Sequence, residues 1–480
     1  MKQFIYIVLF AVLFISSGCT KDFEEINTNT NAPKSVQPSL LLRQVIYNYG
    51  ENMSYEGFVA GDLLAQHRTA LDFNLFDRHA LKSPQLGGNP WSIFYKNLRD
   101  NEIILKQARQ STTLKVYEGP ALILKAYMAA GLTDLFGDVP YFNAFNGTEG
   151  EVTPAYDSQQ SIYLDENGIL DNLDKGIAAI QAYNDAIPLQ GDILYNGNLQ
   201  SWVRFAKSLK IKYLIRISGK VNVSTKLQAL YSEGNYIVSN AQNAVFSFTN
   251  SAPNSFRLAQ LRVGDFNNFV LSETMEDILV NLNDTRIKTL FRPFSNSNTG
   301  QYNGLLNGIN SATTSVVLAN YSLAGTIFRE DSSTLKANFV TAWEIQLALA
   351  EAAQKGLIVA NGQALYDNGV TLAFQYWNTT LPTTYLTGSA AYNASGTTPL
   401  QQIITQKWIA NIINGYEGWV EFRRTGFPKL RTISASLNNN LIPVRMPYPA
   451  EEEALNRENY NLAAAATDNN SINFPVWWNK

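Results

Sequence analysis

Amphipathic helical segments recur along this chain of 480 residues and constrain its fold more than any other feature. In Asn89–Gln110, large apolar side chains follow one another at the spacing i, i+3, i+4 and i+7, which places them on one helix face. These side chains are Trp91, Phe94, Tyr95 and Leu98. A second helix is predicted over Pro120–Gly137, so that the two helices form a hairpin. Further helices are predicted at Ser161–Tyr183, Asn198–Ser218, Glu273–Leu282, Leu335–Lys355, Gln363–Trp377 and Leu400–Asn414.

Successive helical hairpins are typical of an α-solenoid. We therefore predict an all-α fold with a tetratricopeptide-like scaffold of helical hairpins, although the chain has no clean repeat of about 34 residues. Two stretches rich in Asn, Ser, Thr and Gly interrupt the helices, at residues 251–333 and 383–399. Long irregular segments between well-formed helices are often functional surfaces, so we expect ligand-binding loops there.

The N-terminus resembles that of an exported lipoprotein. After Lys2, twelve apolar residues run from Phe4 to Ile15, too few for the roughly 20 residues of a transmembrane helix. The small residues Ser17 and Gly18 precede Cys19 as in a lipobox, although Ser16 replaces the usual bulky aliphatic residue. We predict a signal peptide at residues 1–18, lipidation of Cys19, a flexible tether over 19–33 and one folded domain over 34–480. The alternative is a free cysteine near an ordinary secretory cleavage site.

Composition narrows the class of protein further. The chain has 37 Lys and Arg against 40 Asp and Glu, so no basic surface is expected for nucleic acid. Cys19 is the only cysteine and cannot form an internal disulfide, so the hydrophobic core has to supply the stability.

The sequence offers few catalytic groups. Only two histidines are present, His67 and His79, and a zinc site would need both of them with carboxylates at an unfamiliar spacing. The nucleotide-binding and serine-hydrolase signatures are absent, and we predict neither a metal nor a cofactor. Glu417 and Glu421 share one helix face, as the acid pair of a glycoside hydrolase could, but Arg423 and Arg424 follow them. A structural ion-pair network is the better interpretation, and no catalytic residue is predicted.

Aromatic residues make up 12% of the chain and suggest a different activity. Sugar rings stack on exposed aromatic planes while amides and charged groups bind their hydroxyls. Aromatic side chains at helical spacing, such as Trp202 and Trp343, are assigned to the core, which leaves those on loops as ligand-binding candidates. The candidates are Phe73, Phe76, Arg78 and His79 before the helix at Asn89–Gln110, and Tyr302 and Tyr321 in the segment 251–333.

Several blocks of sequence together resemble one known family. They are "LTDLFGDVPYFNA" at 132–144, "SWVRFAKSLKIKYLIRIS" at 201–218, "QQIITQKWIANIINGYEGWVEFRRTGFPKL" at 401–430, and "IPVRMPYPAEEEALNRENYN" at 442–461 with the terminal "PVWW". The chain is similar over essentially its whole length to the SusD/RagB family of Bacteroidota, and in particular to its SusD-like branch.

This resemblance implies an all-helical outer-membrane lipoprotein on the cell surface. Such a protein captures an oligosaccharide without hydrolysing it and acts as the lid of a SusC-like, TonB-dependent transporter. The RagB side of the family leaves peptide binding as an alternative, and a surface glycoside hydrolase is the alternative from the enzyme class. In the "GYEGWVEFRRTGFP" block, Trp419 and Phe422 are expected to pack, and Arg423 and Arg424 to pair with Glu417 or Glu421. No sugar-binding residue transfers position by position from the family.

Overall fold

The structure is a computed structural model that describes residues 36–479. The predicted signal peptide, the lipidation site Cys19 and the tether lie outside the described residues.

Helices dominate the described chain and are numbered here in chain order. They are α1 Pro38–Glu56, α2 Asp62–Leu64, α3 Trp91–Gln110, α4 Glu118–Phe136, α5 Gln159–Leu164, α6 Ile169–Ala182, α7 Leu199–Ile217, α8 Ser224–Glu233, α9 Val263–Phe266, α10 Glu273–Asn281, α11 Ile287–Leu290, α12 Ala342–Gln354, α13 Gly362–Tyr376, α14 Pro399–Ala410, α15 Glu417–Thr425, α16 Ala450–Leu455 and α17 Arg457–Ala466. A π-helical turn, Gly57–Gly61, joins α1 to α2.

The helices pack as successive hairpins. α3 lies against α4, α6 against α7, and α12 against α13, while α4 also packs on α6 and α12 on both α7 and α14. Ala126, Ala129 and Ala130 of α4 are fully buried, and their small side chains let the neighbouring helices approach closely. The all-α fold with a tetratricopeptide-like scaffold is thereby confirmed.

In the part of the chain that the structure describes, four short strands form two small antiparallel sheets beside the helices. β1 (Arg68–Ala70) pairs with β3 (Phe269–Leu271), and β2 (Ala244–Ser247) pairs with β4 (Lys336–Val340). β2 and β4 flank the loop-rich segment 251–333 and bring its two ends together, while β3, within the segment, attaches it to β1 about 200 residues earlier in the chain.

Two predicted helices differ from the structure. The segment Leu335–Lys355 begins with strand β4, in which side chains alternate between buried and half-buried, and only then becomes α12. The segment Ser161–Tyr183 is divided into α5 and α6, because the backbone is extended at Asp165, directly after α5, and left-handed at Asn167, with φ of 60°. In both cases the apolar spacing was compatible with more than one element.

Aromatic side chains on the helices form the centre of the core. Trp202, Trp343, Trp408 and Trp419 are fully buried, and Phe94 is buried with them. The assignment of the helical aromatic residues to the core is therefore correct. Within residues 36–479, no helix has both the length and the apolar composition needed to cross a bilayer.

A network of buried charges crosses this core. Glu417 of α15 accepts hydrogen bonds from Lys212 at 3.1 Å and from Arg216 at 2.7 Å, both on α7. Arg216 also pairs with Asp134 of α4. Burial acts to raise the pKa of Glu417, but the cations of Arg216 and Lys212 outweigh it and hold the pKa at about 2.

The second half of the network is centred on Glu421, one turn further along α15. Glu421 binds Lys407 of α14 at 2.8 Å and Arg424 at 2.7 Å, and Arg424 makes a bidentate contact with Glu351 of α12 at 2.5 and 2.7 Å. Burial raises the pKa of Glu421, yet these cations bring it well below its ordinary value. The network thus links α4, α7, α12, α14 and α15.

Arg423 does not follow the expected pairing. Its guanidinium lies over the ring of Trp419 at 3.9 Å and donates to the carbonyl oxygens of Val444, at 2.8 Å, and Asp134, at 2.7 Å. The expectation that Arg424 pairs with Glu421 is correct, whereas the pairing of Arg423 with a carboxylate is wrong. Arg423 instead fastens the C-terminal segment to α4 and α15.

We expect Glu417→Gln to lower the free energy of unfolding at pH 7 by about 1.5–3 kcal/mol, because Lys212 and Arg216 each lose one buried carboxylate partner and keep Glu344 and Asp134, respectively. The folded pKa of about 2 lies below the unfolded value of about 4.3, so this carboxylate stabilises the fold above pH 5 and loses that contribution as the pH falls towards 2. Urea unfolding measured from pH 7 to pH 2 should therefore show a weaker pH dependence in the variant. The control is Glu151→Gln, on an exposed carboxylate, which should change neither quantity.

Candidate functional site

The segment before α3 and two parts of the segment 251–333 meet on one side of the scaffold. β3 pairs with β1 on one edge, while on the other side Val270 bridges to Leu323 and Ser272 to Leu305. We call the surface formed by residues 68–80, 268–272 and 303–323 the loop platform. It contains or borders all six positions that were predicted to bind ligand.

The start of β1 is held by a buried carboxylate. Asp62, at the end of the π-helical turn, accepts a hydrogen bond from Nδ1 of His67 at 2.8 Å and also pairs with Arg68. The backbone N–H of Ile413 donates to the same carboxylate at 3.0 Å. The platform is thereby connected to the turn that precedes α15.

A second buried carboxylate, Asp77, holds the platform together from inside. It accepts hydrogen bonds from Thr69 Oγ1 at 2.8 Å, Asn307 Nδ2 at 2.7 Å and the N–H of Gly308 at 2.8 Å. Burial raises its pKa, although the three donors act in the opposite direction. Asn74 adds a hydrogen bond to the carbonyl oxygen of Ile309 at 2.7 Å. These contacts join segments about 230 residues apart.

Phe73 projects from this platform. Its side chain is 63% exposed, and it is the only exposed aromatic residue among residues 36–479. Its backbone has φ of 48°, a left-handed conformation that is uncommon for a bulky residue and costs about 1–3 kcal/mol. An exposed aromatic ring on a strained backbone contributes little to folding, which makes this position a candidate for binding.

Short-range hydrogen bonds impose the conformation of Phe73. The side chain of Asn268 makes two hydrogen bonds with the backbone of Asp72, the residue before Phe73. Its Oδ1 accepts from the N–H of Asp72, and its Nδ2 donates to the carbonyl oxygen of Asp72, both at 2.8 Å. The Asp72 carboxylate then accepts from the N–H of Phe73 at 2.8 Å and from Ser311 Oγ at 3.3 Å. Asp72, Asn268 and Ser311 were not among the predicted site residues, and only the Asn- and Ser-rich composition of the segment 251–333 hinted at them.

Two of the predicted residues have no exposed surface. Phe76 and His79 are each 3% exposed, so neither offers a side chain to a ligand in this conformation. Burial lowers the pKa of His79 to about 4, although a backbone hydrogen bond at Leu441 acts to raise it. The low pKa keeps the ring neutral at pH 7. Their chain positions before α3 suggested a loop surface, but the segment folds back and packs them inside.

The remaining candidates are half-buried. Arg78 donates through Nε to the carbonyl oxygen of Ala435 at 2.9 Å, so it fastens the segment 431–441 to the platform. Tyr302 packs against the main core, and Tyr321 packs in a small cluster with Leu323 and Val270. The structure therefore brings the candidate segments together but leaves Phe73 alone as a free aromatic face.

The acid pair considered for hydrolysis has a different environment. The pKa values of both Glu417 and Glu421 are lowered by neighbouring cations, so both groups are ionised at neutral pH and neither is a proton donor there. The cations that bind the pair, Lys212, Arg216, Lys407 and Arg424, all lie on helices of the scaffold. Among the described residues, no three His, Cys, Asp or Glu side chains converge to hold a metal ion.

Comparison with known proteins identifies the family. Residues 30–449 match the sequence model of the SusD-like family described as starch-binding and associating with the outer membrane. The chain belongs to the SusD-like family. No curated protein sequence matches it.

Solved structures of SusD-like proteins share the fold over nearly their whole length. A structure described as a chitin-binding protein is 25% identical with a TM-score of 0.76, and the match covers 92% of this chain and 100% of that one. A chitin-binding SusD homologue from Flavobacterium johnsoniae is 21% identical, with a TM-score of 0.74 and coverage of 92% and 98%. A SusD homologue from Bacteroides fragilis is 23% identical, with a TM-score of 0.78 and coverage of 93% and 100%.

We expect Phe73→Gly to leave the free energy of unfolding unchanged or slightly higher. Glycine adopts φ of 48° without strain, and relief of about 1–3 kcal/mol outweighs the roughly 0.5–1 kcal/mol that glycine costs in chain entropy. The matched control is Phe76→Ala, on a buried ring in the same segment, which should cost about 3–5 kcal/mol. Urea unfolding of both variants checks the contrast, and equal losses would show that the Phe73 ring supports the fold.

Proposed function

We propose that this SusD-like protein is a non-catalytic glycan-binding lipoprotein of the outer membrane. It is anchored on the cell surface through lipidated Cys19, captures an oligosaccharide on the loop platform and delivers it to a SusC-like, TonB-dependent transporter, for which it acts as the lid. The family match supports the class of protein, and two structural relatives described as chitin-binding support a carbohydrate ligand.

The observation that carries the proposal is the ring of Phe73, the one exposed aromatic side chain among residues 36–479. The C–H face of a pyranose stacks on such a ring, while nearby amides and hydroxyls bind the sugar hydroxyls. Asn268 and Ser311 flank Phe73 through their contacts with Asp72, and Asn310 precedes Ser311 on the same turn. A rigid ring with polar neighbours suits recognition of an uncharged saccharide.

The commitment of the buried carboxylates also supports binding without turnover. Glu417 and Glu421 each bind two or more cations, and a glycoside hydrolase needs one protonated carboxylic acid near neutral pH. The peptide-binding alternative is retained as an outcome of the binding experiment, because the structure offers no feature that favours it over a glycan.

Calorimetry of the soluble protein without the signal peptide and Cys19 tests the ligand class. We expect chito-oligosaccharides or malto-oligosaccharides to bind without release of shorter products. Phe73→Ala should weaken this binding about tenfold, since one stacking contact is worth roughly 1–1.5 kcal/mol, and Phe73→Trp should preserve it. Val359→Ala, at an 87% exposed apolar residue of the α12–α13 connection, is the control and should have no effect.

Three results would contradict parts of this proposal. Release of shorter saccharides would indicate a hydrolase, and binding confined to a peptide panel would establish the peptide-binding alternative. Unchanged glycan affinity in Phe73→Ala would move the site elsewhere, to Tyr302, Tyr321 or another part of the surface.

The anchor is tested separately in cells. We expect Cys19→Ala to abolish incorporation of labelled acyl chains and to shift the protein from the outer-membrane fraction to the soluble fraction, because the lipid supplies the membrane affinity. The thermal unfolding of the released protein should match that of the wild-type domain. Acyl labelling that persists in Cys19→Ala would rule out this residue as the lipidation site.

A further inference from the structure

The paired helices α16 and α17 carry unusually exposed apolar side chains. Leu455 is 77% exposed and Leu462 is 71% exposed, and Val152, on the loop beside them, is 76% exposed. We call this region, residues 151–156 and 449–462, the α16–α17 surface. It lies on a different part of the chain from the loop platform, and the family match ends at residue 449, just before α16.

Hydrogen bonds join the loop that carries Val152 to the start of α17. Asn456 Nδ2 donates to the carbonyl oxygen of Pro154 and Asn459 Nδ2 to that of Thr153, each at 2.8 Å. Leu455 directly precedes the first asparagine, and Leu462 lies three residues after the second, on the same face of α17. The loop and the helices that carry the exposed apolar side chains are therefore fixed to each other.

An open pocket of about 340 Å³ adjoins this surface. Tyr448 and Tyr460 line it together with Pro447 and Pro449. The carboxylates of Glu451 and Glu453 belong to the same pocket. Aromatic and proline walls with carboxylates at one side suit a long cationic side chain, whose aliphatic stem packs on the rings while its charge meets the acids.

Negative charge predominates around the pocket. Two exposed carboxylates, Glu451 and Glu453, line it, and two more, Glu151 and Glu458, belong to the α16–α17 surface; none of the four forms an ion pair within the described part of the chain. The nearby cations are Lys82, which also lines the pocket, Arg457 of α17, and the buried Arg445, whose guanidinium lies 4.3 Å from the ring of Tyr448. The net charge around the pocket is thus negative, which favours a positively charged binding partner over a negatively charged one.

We infer that the α16–α17 surface docks a protein partner that inserts an arginine or lysine side chain into this pocket and packs apolar side chains on Leu455 and Leu462. A second copy of the chain would bring the same acidic surface and be repelled. The chain's own tether contains the acidic "KDFEE" at 21–25 and would be repelled by the acidic α16–α17 surface. An anionic membrane would be repelled for the same reason. A protein surface that is both basic and apolar is complementary to the negative charge of the pocket and to the exposed side chains of Leu455 and Leu462.

The identity of this partner rests on the proposed function, in which it is the SusC-like transporter.

The test uses the full chain, tagged, in the cells that produce it. A photo-crosslinking amino acid replaces Leu455 or Leu462, with Val359 as the equally exposed control position. Crosslinks to a TonB-dependent β-barrel are identified by mass spectrometry after detergent extraction.

Charge reversal gives an independent measurement. We expect Glu451→Lys with Glu453→Lys to reduce recovery of the transporter at least tenfold, and we expect Asp165→Lys with Glu166→Lys, an equal charge change on the exposed α5–α6 connection, to leave it unchanged. Glycan affinity and thermal unfolding of the reversed variant should equal those of the wild type, which separates lost docking from lost folding.

The outcomes distinguish this inference from the proposed function. Crosslinks to the transporter from positions 455 and 462 but not from 359, together with the loss on charge reversal, would support docking at this surface. Crosslinks from 359 instead, or full recovery after charge reversal, would overturn it and leave the transporter partnership intact. If the wild-type chain recovers no β-barrel while still binding glycan, the partnership itself fails and the docking surface fails with it.

Discussion

The buried ion network around α15 is the interaction on which the rest of the fold depends. Glu417 and Glu421 lie one turn apart and bind cations from α7, α14 and α15, while Arg424 reaches across to α12. A buried charge is costly unless it is paired and hydrogen-bonded, so each helix has to keep its place for the others to be stable. The network acts across hairpins that would otherwise be joined only by apolar contacts, which fix orientation less specifically.

Such a scaffold allows the loops to carry strain. Phe73 is held in a left-handed conformation because Asn268 fixes the backbone of the preceding residue, Asp72, whose carboxylate accepts a hydrogen bond from the N–H of Phe73. Asp77 joins the segments of the same platform from inside. An isolated loop of this length would relax by turning the ring inward or by adopting an extended backbone. Where the surrounding structure over-determines a conformation, the cost of about 1–3 kcal/mol is met by contacts elsewhere.

The sequence predicts the helical scaffold well and the candidate site only in part, because helices follow from local periodicity whereas the exposure of a loop side chain depends on distant contacts. Helices α3, α4, α7 and α13 follow from periodicity within the segment itself, and Glu421 with Arg424 follows from helical spacing. Exposure of a loop side chain has no such local signature. Phe73 and Phe76 lie three residues apart in the same polar segment, yet contacts with Asn268 and Asn307, about 200 residues away, leave one exposed and place the other in the interior. Likewise, β4 became a strand because β2 lies beside it.

A protein that delivers its ligand has to bind it weakly enough to release it. One stacking ring with a few amides and hydroxyls supplies a free energy that corresponds to micromolar to millimolar affinity, since each 1.4 kcal/mol is a factor of ten. A deep, enclosed pocket would bind more tightly and slow the transfer, because most differences in affinity appear in the rate of dissociation. In the proposed function, an exposed Phe73 on a rigid platform therefore suits capture followed by release, and specificity comes from how well a polymer's successive rings match the flat surface around it.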